Sequence, residues 1–320
     1  MYFCSFNWTR RLEIVIVIVG PTCSGKTKLS LKLAELLNSE IISADSRQIF
    51  KILDIGTAKP AKVELKRIKH HLINKINPEQ DYNASKFAAD ANEIIKRLLE
   101  ENKTPIVVGG SGLYIKALID GIADSADTDF ELREELLTLR KSKGNEYMYN
   151  ELKKVDMVSA EKMLPQNWKR VIRAIEVFKL TGRPIWQHYQ NQQAEREFSF
   201  NQIGLNWERE ILYNNIETRV DKMINAGLVD EVKNILDMGY PRTLNALNTV
   251  GYKEIIKYLD NQITFDRAIE LIKRNTRHYA KRQMTWFNAD KRIKWYNINN
   301  ESDLNNLAEE IAKEVNERKN

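Results

Sequence analysis

The segment Gly20-Pro21-Thr22-Cys23-Ser24-Gly25-Lys26-Thr27 has the spacing G-x-x-x-x-G-K-T. In that pattern glycines let the backbone curl round an anion, and successive N–H groups point inward. A lysine adds a mobile positive charge, and a hydroxyl reaches a magnesium ion. The chemistry is the holding of a di- or triphosphate, with Thr27 the expected ligand for Mg2+. The loop alone does not say which phosphate compound is held or what becomes of it.

Further groups with chemical potential lie downstream. Asp45 follows a short apolar stretch and opens the run Asp45-Ser46-Arg47-Gln48. A carboxylate at a strand end can hold magnesium, accept a proton or cap a loop. The turn Gly109-Gly110-Ser111-Gly112 offers more N–H groups and one hydroxyl. It is equally a tight strand-to-helix turn that needs glycine. His70 and His71 have no third ligand nearby and read as loop or packing residues.

These groups need a scaffold, and the sequence predicts one. Ile14–Val19 is wholly β-branched, as suits a central parallel strand buried on both faces. Lys26–Leu37 has apolar residues at helical spacing. Residues 40–43 and Thr104–Val108 read as further strands, and Tyr82–Glu101 and Leu113–Ile119 as helices. Alternating strands and helices imply a parallel α/β sheet flanked by helices. From residue 121 to 198 the strand signals stop, and helices are expected at Phe130–Lys141, Glu146–Lys154 and Trp168–Leu180. The expected organisation is therefore a P-loop α/β core, residues 1–120 and 199–320, interrupted by an all-helical insertion, residues 121–198. In the second core segment, strands are expected at Phe200–Asn206 and Arg292–Asn297. Helices are expected at Arg209–Ala226, Leu228–Met238, Gly251–Leu259, Thr264–Phe287 and Asp303–Val315.

Composition narrows the function classes. The 320 residues are 42% hydrophobic, ordinary for a globular protein. Ile14–Val19 is far too short to span a bilayer, so no membrane partner is expected. Met1–Arg11 reads as a short extension rather than a signal peptide. Two cysteines, Cys4 and Cys23, rule out a disulfide framework or a paired-cysteine zinc site and suit a reducing cytosol. The net charge of +6 is moderate, but its distribution is not even. The helix at Thr264–Phe287 carries Arg267, Lys273, Arg274, Arg277, His278, Lys281 and Arg282, with Tyr279, Trp286 and Phe287 interleaved. Lys169, Arg170 and Arg173 form a second basic group beside Trp168. Each is either a solvated charged face or a contact surface for a phosphate backbone. The strand Pro105–Val108 ends in Gly109 and not in the acidic residue expected of a nucleotide-hydrolysing motor.

Taken in order, several stretches resemble the tRNA dimethylallyltransferases, isopentenyl diphosphate:tRNA transferases of bacterial type. They are Gly20–Thr27, Ser43–Gln48, Asp54-Ile-Gly-Thr-Ala-Lys-Pro60, Val108–Tyr114, Gly251-Tyr-Lys-Glu254 and Thr276–Phe287, within a resemblance running from about Ile14 to Trp295. The resemblance implies transfer of a dimethylallyl group from its diphosphate to the exocyclic amine of the adenine 3′ of the anticodon. It gives Asp45 the role of base, and Lys26 and Arg219 that of phosphate contacts. Asp45, Ser46, Arg47 and Gln48 are implied to meet the extruded adenine. Ser111, Arg133, Lys169, Arg170, Arg173, Arg277, Lys281 and Arg282 are implied to contact substrate tRNA at its anticodon stem-loop. The chain departs from the family pattern at Ser111, Phe50, Asn74 and Leu164-Pro-Gln-Asn167, where threonine, tyrosine, aspartate and His-Pro-Asn-Asp are usual. A cytoplasmic monomer is expected. The alternatives are an ATP-dependent P-loop kinase of a small metabolite and an adenylate isopentenyltransferase. Neither needs the basic aromatic helix.

Overall fold

The structure is a computed structural model that describes residues 13–121, 129–190 and 198–319. Cys4 and the extension Met1–Arg11 lie outside the described residues. The chain forms two compact units, Met1–Ile119 with Arg196–Asn320, and Asp120–Glu195.

The larger unit is built on a six-stranded sheet of order β3-β2-β4-β1-β5-β6. In chain order the strands are β1 Glu13–Val19, β2 Ile41–Ser43, β3 His70–His71, β4 Ile106–Val108, β5 Phe198–Trp207 and β6 Lys294–Ile298. Every pairing is parallel. β1 lies inside the sheet, and Val15 through Val19 are fully buried, so its β-branched run is covered on both faces. The register sets Ile18 beside Val108, and Val108 beside Ser43. The carboxyl ends of β1, β2 and β4 therefore finish level, and the loops after them open on the same edge.

Helices α1 Lys26–Leu36, α2 Lys62–Arg67, α3 Ala84–Glu100 and α4 Gly112–Asp120 connect the first strands. The helix α3 buries Phe87, Ala91, Ile95 and Leu98 at three- and four-residue steps and starts from Asn83, whose side chain accepts the Lys86 N–H at 2.9 Å. Neither α2 nor β3 is expected from the sequence. The helix α2 buries no residue and so carries no apolar periodicity, and β3 is only two residues long. The last helix of the chain, α13 Glu301–Lys319, lays Leu304, Leu307 and Ile311 against Leu29 and Leu33 of α1. The chain's end thus closes the core over the first helix.

Between β5 and β6 run α9 Arg209–Asn225, α10 Leu228–Asp237, α11 Tyr252–Leu259 and α12 Phe265–Asn288. The Thr264 hydroxyl accepts the Arg267 N–H at 3.3 Å and starts α12.

The smaller unit is helical: α5 Phe130–Val155, α6 Met157–Ala160, α7 Trp168–Thr181 and α8 Ile185–Gln190. Gly144, at φ 87°, breaks α5, which is why the sequence reads there as two helices. Its core joins Leu136, Met148 and Leu152 of α5 to Val171 and Ile175 of α7. Asp156 is buried. Its carboxylate caps α6 by accepting the Ser159 N–H at 2.9 Å and takes the Ile185 N–H at 3.1 Å. Glu176 is fully buried on α7 and is neutralised by Arg133 at 2.5 Å and Arg173 at 2.9 Å.

Gly109 is the tightest backbone contact in the strand ends: a Cβ there would overlap the Ala44 carbonyl. Because the obstacle is backbone, Gly109→Ala should destabilise the protein by about 3 kcal/mol. Gly239→Ala, at φ 91° with open space around it, should cost only about 1 kcal/mol. Urea unfolding of the two variants checks the difference.

Candidate active site

The phosphate loop joins the buried β1 to α1. Gly25 occupies the N-cap position with no side-chain cap, so the first N–H groups of α1 stay open to an anion. The Lys26 ammonium donates to the Pro21 carbonyl at 2.6 Å, which folds it over the loop. The Trp207 indole N–H donates to the Ser24 carbonyl at 2.9 Å. From α9, Arg219 Nη1 donates to Thr22 Oγ1 at 3.0 Å and meets Cys23 Sγ at 3.4 Å. Burial, followed by repulsion from Arg219, lowers the Lys26 pKa to about 8. Neither cation is ion-paired to a carboxylate among the described residues, and an anion of high charge would relieve their repulsion.

Asp45 stands on the same edge, beyond β2. Its Oδ1 accepts the N–H groups of Arg47 at 2.8 Å and Gln48 at 3.3 Å. Its Oδ2 takes no hydrogen bond among the described residues. One oxygen fixes the side chain and the other is open to a proton. Arg47 donates to the Asn245 carbonyl at 2.8 Å, and burial lowers its pKa. The phenols of Tyr114 and Tyr279 are raised by burial and next by the Asp45 carboxylate. Ser111 Oγ accepts the Ser46 N–H at 3.0 Å, a bond that does not use its own hydroxyl proton.

A further set of contacts holds this loop, and of its members Glu231 was not marked in the sequence. Gln48 accepts the Ser43 hydroxyl at 3.2 Å and donates to the carbonyls of Thr57 at 3.2 Å and Ala58 at 3.1 Å. The Asp54–Pro60 stretch is itself gripped from α10. The Glu231 carboxylate accepts the N–H groups of Asp54 at 2.9 Å, Ile55 at 2.7 Å and Gly56 at 3.0 Å, and the Tyr252 hydroxyl at 2.6 Å. The Lys59 ammonium donates to Phe50 O at 2.6 Å, Asp54 Oδ1 at 2.8 Å and Asn74 Oδ1 at 2.5 Å. No local signal marks Glu231, because the amides it binds are far away in sequence.

One cavity of about 1200 Å³ is lined by Thr22 to Thr27, Asp45 to Gln48, Gly56 to Pro60, Arg219, Tyr279 and Arg282. The other residues singled out in the sequence are placed differently. Gly20 and Pro21 carry the chain from β1 into the loop. On α12, Lys281 is exposed, whereas Arg277 pairs with Glu217 at 2.7 Å. In the helical unit, Lys169 and Arg170 are exposed, with Lys169 lying 5.4 Å from the centre of the Trp168 ring. Arg133 and Arg173 spend their charge on Glu176.

Among the described residues no group of three His, Cys, Asp or Glu could hold a metal. The exposed Thr27 hydroxyl lines the cavity together with Asp45. That sparse oxygen donor set fits a hard divalent cation that keeps most of its shell for water and phosphate oxygens.

Burial brings the Lys26 pKa to about 8 in the free protein, so affinity for inorganic pyrophosphate should begin to fall as the pH rises through that value and the ammonium is lost. In Lys26→Met the step should vanish. Calorimetric titration between about pH 7 and about pH 9 checks both.

Comparison with known proteins gives a single answer. The IPP transferase family profile matches residues 48–290. The chain is 47% identical over 301 residues to a tRNA dimethylallyltransferase of Alkaliphilus oremlandii, covering 94% of this chain and 96% of that protein. It is 46% identical over 289 residues to one of Acetivibrio thermocellus, covering 89% and 92%. A crystal structure of a tRNA isopentenylpyrophosphate transferase from Bacillus halodurans superposes with a TM-score of 0.69 at 36% identity, covering 97% of this chain and 98% of that one. That of a eukaryotic dimethylallyltransferase acting on tRNA gives 0.81 at 28% identity, covering 94% and 77%. With these relatives and a family profile matched over most of its length, the chain belongs to the IPP transferase family.

Proposed function

We propose that the protein transfers a dimethylallyl group from dimethylallyl diphosphate to the exocyclic amine of the adenine 3′ of the anticodon in tRNA. The observation that carries this reading is the shared cavity. It brings a cationic phosphate loop and a carboxylate with one open oxygen together in about 1200 Å³. The matched relatives are named for this reaction, and neither a kinase of small metabolites nor an adenylate isopentenyltransferase gains support from them.

The chemistry assigns each group a task. The phosphate loop, Lys26 and Arg219 hold the diphosphate of the donor. Mg2+ bound at Thr27 would neutralise part of the charge on that diphosphate. The adenine must leave its stack and enter the cavity beside Asp45 to Gln48. Its exocyclic nitrogen is a poor nucleophile because its lone pair is delocalised into the ring. As that nitrogen bonds to the allylic carbon, the carbon–oxygen bond breaks and its electron pair leaves with the diphosphate. The N–H proton passes to Asp45 Oδ2. Lys26 and Arg219 stabilise the charge gathering on the leaving group. In this reading the Ser111 hydroxyl, which accepts the Ser46 N–H, gives its own proton to the bound nucleotide.

For tRNA we assign the exposed face of α12 with Arg274 and Lys281, Arg282 where that face meets the rim of the cavity, and the helical unit through Lys169 and Arg170. Arg133, Arg173 and Arg277 would reach RNA only by giving up part of their ion pairing. Among the described residues no helix is long and apolar enough to cross a membrane. We place the protein in the cytoplasm, where tRNA is modified, acting as a monomer.

Incubation with bulk tRNA and dimethylallyl diphosphate, followed by nucleoside mass spectrometry, should reveal dimethylallyl-adenosine; AMP should not be prenylated. Product on AMP alone would overturn the assignment. Asp45→Asn keeps an acceptor for the Arg47 and Gln48 amides but loses the base. Its single-turnover rate should fall about a hundredfold or more, with RNA affinity nearly unchanged. Replacing Arg274 and Lys281 together by alanine should flatten the slope of log affinity against log salt by about 1 to 2, measured by filter binding.

A further inference from the structure

The side chain of Gln283, on α12, is buried at 6% exposure between the two glycine turns. Its Oε1 accepts the Thr22 N–H of the phosphate loop at 2.8 Å. Its Nε2 donates to the Gly110 carbonyl at 2.9 Å. The backbone fixes the orientation of this carboxamide, since Thr22 N can only donate and Gly110 O can only accept. Any side chain at Gly110 would overlap Gln283 Nε2, so the turn is shaped to admit it. Thr22 is also held by Arg219 at its hydroxyl. The same helix turn presents Tyr279 and Arg282 to the cavity.

We propose that Gln283 is a positioning residue for diphosphate binding. It withdraws the Thr22 N–H from the anion cradle and ties the phosphate loop to the Gly109–Gly112 turn. In this way it sets the N–H groups of Cys23 to Thr27 in the geometry the anion needs. α12 then carries two separable tasks on opposite sides: an inward brace for the phosphate loop and an outward basic face. The inference rests on the reading that this loop grips the diphosphate of the donor.

Two variants test it with inorganic pyrophosphate as the probe. Gln283→Met keeps the size and loses both hydrogen bonds. Pyrophosphate affinity should drop about tenfold, while affinity for an anticodon stem-loop RNA stays within about threefold. Gln283→Glu can mimic the carboxamide only while protonated, when it both accepts and donates. Its pyrophosphate affinity, expressed as a ratio to wild type, should approach unity near pH 5.5 and decline about tenfold as the acid ionises. A merely structural residue would not give that pH profile.

Three results would overturn the proposal: unaltered pyrophosphate affinity in Gln283→Met, proportional loss of pyrophosphate and RNA affinity together with thermal stability, or a pH-independent ratio in Gln283→Glu. If Gln283→Met fails to fold, the pH series of Gln283→Glu decides alone. Failure of the wild-type protein to bind pyrophosphate would instead sink the donor assignment itself.

Discussion

Level strand ends are the constraint on which the site depends. Ile18, Val108 and Ser43 stand side by side in three adjacent parallel strands. The phosphate loop, the Gly109 turn and the Asp45 loop must therefore leave the sheet at one height and face one cavity. The Ala44 N–H donates to the Val108 carbonyl at 2.7 Å, and the Ser111 N–H to the Ala44 carbonyl at 3.3 Å, which extends this alignment past the ends of the strands. A slip of one residue would turn each side chain to the other face and dismantle the cavity.

Electrostatics on that edge is asymmetric. Lys26 and Arg219 lie close enough to repel, and an anion bound in the loop would relieve that repulsion. Asp45 sits opposite with one oxygen committed to backbone amides and one open. Holding a carboxylate through one of its two oxygens fixes its direction and leaves the other oxygen open to a proton. The helical unit uses charge in the reverse sense. Arg133 and Arg173 neutralise the buried Glu176, so they hold that unit together before any partner arrives.

The loop that meets the cavity from the other side depends on remote groups. Asp54, Ile55 and Gly56 turn three consecutive N–H groups onto the Glu231 carboxylate, and Tyr252 completes the set. This explains why so polar a stretch as Asp54–Pro60 can be specific without contributing a reacting group. It is a backbone nest filled by the protein's own anion. Through Gln48 the order of that nest is passed to the Asp45 loop.

By itself the sequence determined the elements whose signal is local: the β-branched β1, the glycine loop, the periodic helices α3 and α12, and the change to a helical composition after residue 121. It also marked Asp45, Lys26 and Ser111, since a strand end followed by a chemically active residue is readable along one stretch of chain. It gave no warning of α2, α8 or the two-residue β3, which are too short or too exposed to carry a period. Tertiary structure alone decided that Gln283 would join two turns distant in sequence, that Glu231 would fill the Asp54–Gly56 nest, and that Arg277 would answer to Glu217. The physical reason is the same in each case. A hydrogen bond or ion pair between residues far apart in the chain is created by packing, and no residue's neighbours in sequence encode which distant partner packing will bring.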